Sequence, residues 1–80
     1  AEIARYSGRI VACHVKDLAP AGECKDEDGW ADPGHGTLDW AALVPALKAA
    51  GCRFFVAEHD RPNDVARFAR RARMTVESWV

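Results

Sequence analysis

Eighty residues allow one small domain and exclude a complete (β/α)8 barrel, which needs roughly 250. Hydrophobic residues make up 49% and charged residues 29%, the balance of a soluble globular chain rather than a disordered one. Eleven basic against twelve acidic side chains leave a formal charge of -1, so no overall field steers the chain toward nucleic acid or an anionic membrane.

The chain opens on Ala-Glu-Ile-Ala-Arg-Tyr without an initiator Met. Residues 1 to 6 read as the tail of a helix stopped by Ser7-Gly8, so the chain is expected to be a piece of a longer protein. Residues 9–16 carry the run Ile10-Val11-Ala12-Cys13-His14-Val15, continuous and rich in β-branched residues. Such a run predicts a strand buried on both faces, as in a parallel sheet. Residues 17–36 show no periodicity and hold four glycines and two prolines, which predicts a long loop of the lid or binding type. A helix follows over 38–50. Thr37 is placed to cap it, Asp39 suits its positive end, and Trp40, Leu43, Val44 and Leu47 share one face. Pro45 inside it predicts an irregular first turn.

Residues 53–58, Arg-Phe-Phe-Val-Ala-Glu, predict a second buried strand. A last helix spans 62–78, opened by Pro62 with Asn63 or Asp64; Asp60 is also placed to cap it. Its apolar stripe is Val65, Phe68, Ala69, Ala72, Val76 and Trp79. Arg67, Arg70, Arg71 and Arg73 crowd the rest, which reads as a solvated face, since no aromatics are interleaved to stack nucleotides. The fold class is therefore α/β, with two parallel strands joined by a helical crossover. Two strands alone leave edges and faces open, so the unit needs a larger sheet or barrel, or association with copies of itself.

Cys13, Cys24 and Cys52 are an odd count with no Cys-x-x-Cys pair, which argues against a disulfide framework and for a reducing cytoplasm. No apolar run approaches the ~18 residues of a membrane span, and no signal-peptide pattern is present.

Chemistry concentrates where each strand ends, the edge at which parallel α/β proteins build their sites. Alternation puts Ala12, His14 and Lys16 on one face of the first strand and Phe54, Val56 and Glu58 on one face of the second. An imidazole and a carboxylate from adjacent strands form half of an N/O site for a divalent metal. The alternatives are a structural His14 and a Glu58 salt-bridged to Lys16 or an arginine. His35 lies in the loop between Gly34 and Gly36 and is named as an exposed candidate substrate contact. His59 has the opposite parity to Glu58 and is expected to face the helices or solvent.

Three segments together carry a resemblance: Gly8-Arg9-Ile10 leading to His14-Val15-Lys16-Asp17, then Gly34-His35-Gly36-Thr37-Leu38-Asp39-Trp40, then Glu58-His59-Asp60. The chain resembles the last quarter of the sugar phosphate isomerase/epimerase family, which are xylose-isomerase-like TIM barrels. The resemblance implies strand seven, its helix, strand eight and its helix. It implies a divalent metal, Mn2+ first and Mg2+, Co2+ or Zn2+ otherwise. His14 and Glu58 match the last two of four ligands, and Glu58 also matches the acid/base; the two earlier carboxylates have no counterpart here. Lys16 is assigned an electrostatic contact to a substrate oxygen. The implied partner is a small sugar or sugar phosphate, with no nucleic acid and no membrane, and the chain alone is expected to be inactive.

Two other readings stand beside it. Endonuclease IV-like DNA repair enzymes share the barrel, but their zinc loop separates Asp and His by one residue, whereas Asp32-Pro33-Gly34-His35 separates them by two. Residues 17 to 39 also hold seven acids against Lys25 alone, which repels a phosphodiester backbone. The second is a non-catalytic module in which four chains complete eight strands and cover one another's edges.

Overall fold

The computed structural model describes residues 2–80. The chain is a mixed α/β unit: α1 (Glu2–Arg5), β1 (Ala12–Val15), β2 (Asp17–Leu18), β3 (Trp30–Ala31), α2 (Trp40–Ala49), β4 (Phe54–Ala57) and α3 (Val65–Glu77). A 3-10 turn at Lys25–Glu27 stands between β2 and β3. The predicted helix tail is α1, of which Ala1 lies outside the described residues. β1 and β4 pair in parallel, with Ala12 opposite Phe54 and Val15 opposite Ala57. No helix among the described residues is long and apolar enough to cross a membrane.

α2 is capped by Asp39, whose carboxylate accepts from the Ala42 N–H at 3.2 Å. Thr37, the predicted cap, instead donates its hydroxyl to the Leu18 carbonyl at 2.9 Å. The helix runs through Pro45, and its first turn carries one three-residue bond, from the Ala42 N–H to the Asp39 carbonyl, of a kind common at helix starts. Asp64 caps α3 by accepting from the Arg67 N–H at 2.9 Å, and Asp60 takes no part in that cap.

The core lies on one side of the β1–β4 sheet. Val15, Val44, Leu47, Ala50, Cys52 and Ala72 are buried there. The Trp79 ring closes it, 5.2 Å from the Trp40 centroid and 5.5 Å edge-on to Phe55. Of the predicted α3 stripe, Ala72 is buried and Phe68, Val76 and Trp79 are half-buried, but Val65 and Ala69 are exposed. The predicted burial of both sheet faces is also corrected. Phe54 is 63% exposed and Val56 46%. Burial alternates along both strands so that the Cys13, Val15, Phe55 and Ala57 side is the covered one, and the Phe54 and Val56 side has no helix over it among the described residues.

Residues 17–36 are not a shapeless loop. β2 and β3 form a short antiparallel ribbon, with Asp17 opposite Ala31 and Leu18 opposite Trp30. Two devices hold it. The first is Asp17, 1% exposed, whose carboxylate accepts from the backbone N–H groups of Leu18, Gly34, Gly36 and Leu38 and from the Trp40 indole N–H, at 3.0–3.2 Å. Gly36 makes that cradle possible: a Cβ there would stand 2.5 Å from the Leu18 carbonyl and run into the Asp17 carboxylate itself. The second is Arg67, which donates to Asp32 at 2.8 Å and to Glu27 at 2.5 Å, while Arg71 reaches Asp32 at 3.4 Å. Arg67 is thus no member of a solvated face. It is the counter-charge for two buried carboxylates.

Candidate functional site

β1 and β4 turn polar at the same edge of the sheet: β1 runs into Lys16-Asp17 and β4 into Glu58-His59-Asp60. The Glu58 N–H donates to the Val15 carbonyl at 2.9 Å, which carries the ladder one step past β4 and sets the height of its carboxylate. On the open face of the sheet two ion-pairing contacts follow one another. His14 Nδ1 lies 2.9 Å from Glu58 Oε2. Lys16 Nζ donates to Asp60 Oδ2 at 2.7 Å. In each, the β1-side residue reaches diagonally to the residue two beyond the one opposite it, as the register requires. Lys16 is fixed further by Trp30, whose ring centroid is 4.4 Å from Nζ.

Because a carboxylate oxygen can only accept, His14 Nδ1 is the donor in this contact, which leaves Nε2 as the ring nitrogen that a metal would take. The donors are one imidazole and one carboxylate. Cys13 lies on the opposite face of the sheet, and burial, then the neighbouring Cys52, pushes its thiol above the ordinary value, away from the thiolate that a soft metal would take. Among the described residues no group of three or more His, Cys, Asp or Glu is placed to hold a metal, so further ligands would have to come from outside them.

The structure therefore brings together three of the residues singled out from the sequence, His14, Lys16 and Glu58, on one face. His35 is not brought to them by any hydrogen bond among the described residues. It is exposed, and its backbone N–H closes a turn onto the Asp32 carbonyl at 2.9 Å. The His59 side chain is fully buried against α3, edge-on to Phe68. Its Nδ1 accepts from the Arg61 N–H, and its Nε2 lies 3.3 Å from Glu27 in an orientation that falls short of a hydrogen bond. Asp60 and Trp30 belong to the site and escaped the sequence reading. Asp60 resembled a helix cap, and nothing local to Trp30 indicates that the ribbon returns it to Lys16. No family model, curated protein or solved structure matches the chain.

Proposed function

We propose that this chain supplies the His14 and Glu58 end of a divalent-metal site in a sugar or sugar phosphate isomerase/epimerase, as the last two strand–helix units of a TIM barrel. The observation that carries it is the His14–Glu58 contact of 2.9 Å at the C-terminal ends of two parallel strands. The apolar side chains beneath it, Phe54 and Val56, share the face that such a barrel turns inward.

A bound divalent ion supplies Lewis acidity to the carbonyl and hydroxyl oxygens of a sugar. The residues of this chain have separate tasks. His14, oriented by its Nδ1 contact with Glu58, offers Nε2 as a ligand nitrogen. Glu58 offers carboxylate oxygens as ligand and as the base that removes a proton next to the carbonyl. Returning that proton to the opposite face gives the epimer, and returning it to the neighbouring carbon gives the isomer. Lys16 donates to a substrate oxygen from a position set by Trp30 and Asp60. The remaining ligands are not in this chain, so the 80 residues alone give no turnover.

Mn2+ titration of the chain followed by NMR tests the ligand assignment. Paramagnetic broadening should reach the His14 and Glu58 side-chain signals first. His14→Ala or Glu58→Gln should weaken Mn2+ binding by about 10–100-fold. Unchanged broadening elsewhere in the double variant would sink it.

A specific observation supports a second reading, association of copies into a closed structure. The open face of the β1–β4 sheet has an apolar part, with Phe54 and Val56 exposed, and both sheet edges are unpaired among the described residues. The two readings are compatible, because copies that complete a barrel would bury the same face.

A further inference from the structure

We infer that Glu27, on the 3-10 turn between β2 and β3, is a positioning residue that holds Glu58 against His14. The inference rests on the metal reading above and deepens it. Glu27 makes no hydrogen bond to either member of the pair among the described residues. It acts through the turn that follows Glu58.

Three observations carry the inference. First, one carboxylate closes both ends of that turn. Glu27 Oε1 accepts from the Asn63 N–H at 3.1 Å at the far end. The same oxygen stands 3.3 Å from His59 Nε2 at the near end. Inside the turn the Arg61 N–H donates to His59 Nδ1 at 3.0 Å, so the ring hydrogen lies on Nε2, on the side of Glu27. The Glu58 N–H is already tied to the Val15 carbonyl. Glu58 is therefore pinned on one side by the sheet and on the other, one residue along, by Glu27.

Second, this contact is shielded from water. The His59 side chain is fully buried and that of Glu27 is 7% exposed. His59 Nε2 has no hydrogen-bond partner among the described residues, and a buried donor is costly to place beside anything but an acceptor. Glu27 is the acceptor beside it, with its charge balanced by Arg67. Third, the turn that presents Glu27 is strained. Cys24 and Asp28, which bracket it, hold φ values of 52° and 55°, in the left-handed region that non-glycine residues rarely adopt. Such backbone persists where surrounding contacts fix it, and it concentrates at functional sites. Here the fixing contacts run from Glu27 to the 59–63 turn, with Asp26 to Asn63 and Asp28 to Arg61 beside them.

The test is amide hydrogen exchange and Mn2+ binding on the chain, both followed by NMR, with urea unfolding as the measure of global stability. Glu27→Ala should speed exchange at Glu58 and Arg61 by at least about fivefold beyond any change at Val56. It should also weaken Mn2+ binding about tenfold. Glu27→Gln keeps an acceptor oxygen, so it should stay within about twofold of the native chain on both readouts. His59→Asn keeps an acceptor for the Arg61 N–H and loses the Nε2 arm, so it should speed Glu58 exchange by itself. Combined with Glu27→Ala it should add less than its separate effect. Exchange at Glu58 that is unchanged, or raised only in step with Val56, overturns the inference. That outcome is read in Glu27→Ala or, should that variant not fold, in His59→Asn. Full additivity in the double variant overturns it as well. Unchanged Mn2+ affinity in a folded Glu27→Ala chain overturns it and leaves the metal reading standing. A native chain that binds no Mn2+ removes the metal reading, and the exchange rates then decide the positioning alone.

Discussion

Asp17 shows how much one carboxylate can organise in a small domain. It accepts five hydrogen bonds, one from Leu18 and four from the segment between Gly34 and Trp40. Four of the donors are backbone N–H groups, which would otherwise be left without partners in a part-buried site. Each such orphan costs about 1–3 kcal/mol, and a chain of this length has a total stability of about 4–12 kcal/mol. Asp17→Ala should therefore cost at least 3 kcal/mol, measured by urea unfolding. Asp17→Asn should recover little of the loss, because its NH2 group would face donors where an acceptor is needed. A cost below 1 kcal/mol for Asp17→Ala would show that the cradle is dispensable. The residue also bears on function, since it directly follows Lys16 and anchors the turn on which Lys16 leaves β1.

At the scale of elements, the β2–β3 ribbon depends on α3 for its place. Glu27 and Asp32 are buried, and Arg67 of α3 bonds to both. Hydrogen bonding to Asp32, then to Glu27, holds the guanidinium well above its ordinary pKa, so the charge that balances them is permanent. Removing one partner from a buried ion cluster is costly because the others stay charged and desolvated. Arg67→Met should cost about 2–3 kcal/mol, less than a fully buried case because Arg67 keeps some exposure. Amide exchange in Trp30 and Ala31 should speed up more than exchange in β4. Adding Glu27→Gln and Asp32→Asn should return much of the loss, and failure of that rescue would refute the electrostatic account. The two parallel strands and both long helices were legible in the sequence, because their patterns are local: β-branched runs for the strands, an apolar face for α2 and an Asn63 or Asp64 start for α3, although the α2 cap is Asp39 and not Thr37. The ribbon was not. Its strands are two residues long, and what holds them is a set of bonds to residues up to forty positions away.

At the scale of the whole molecule, the sheet has one covered and one open face. The open one carries Phe54, 63% exposed, beside Val56. An exposed apolar surface of this kind, next to unpaired strand edges, favours association. Sedimentation equilibrium should show self-association that rises with concentration. Phe54→Lys should shift it to monomer by opposing burial of the face, with little loss of folding stability, since that side chain is already largely in solvent. A monomer at all concentrations would remove the assembly reading.

Chain order and composition alone established an α/β unit with His14, Lys16 and Glu58 at one edge of a parallel sheet, because alternation along a strand and the polar ends of apolar runs are local properties. They could not establish that Lys16 is shared by Asp60 and Trp30, that Asp17 is a hub or that Arg67 is a buried counter-charge. Each of these depends on contacts across 14 to 44 positions, where a charged residue looks the same in sequence whether it meets water, a partner or a ligand. Folding distinguishes them, because burial leaves a charged group stable only where its hydrogen bonds are met.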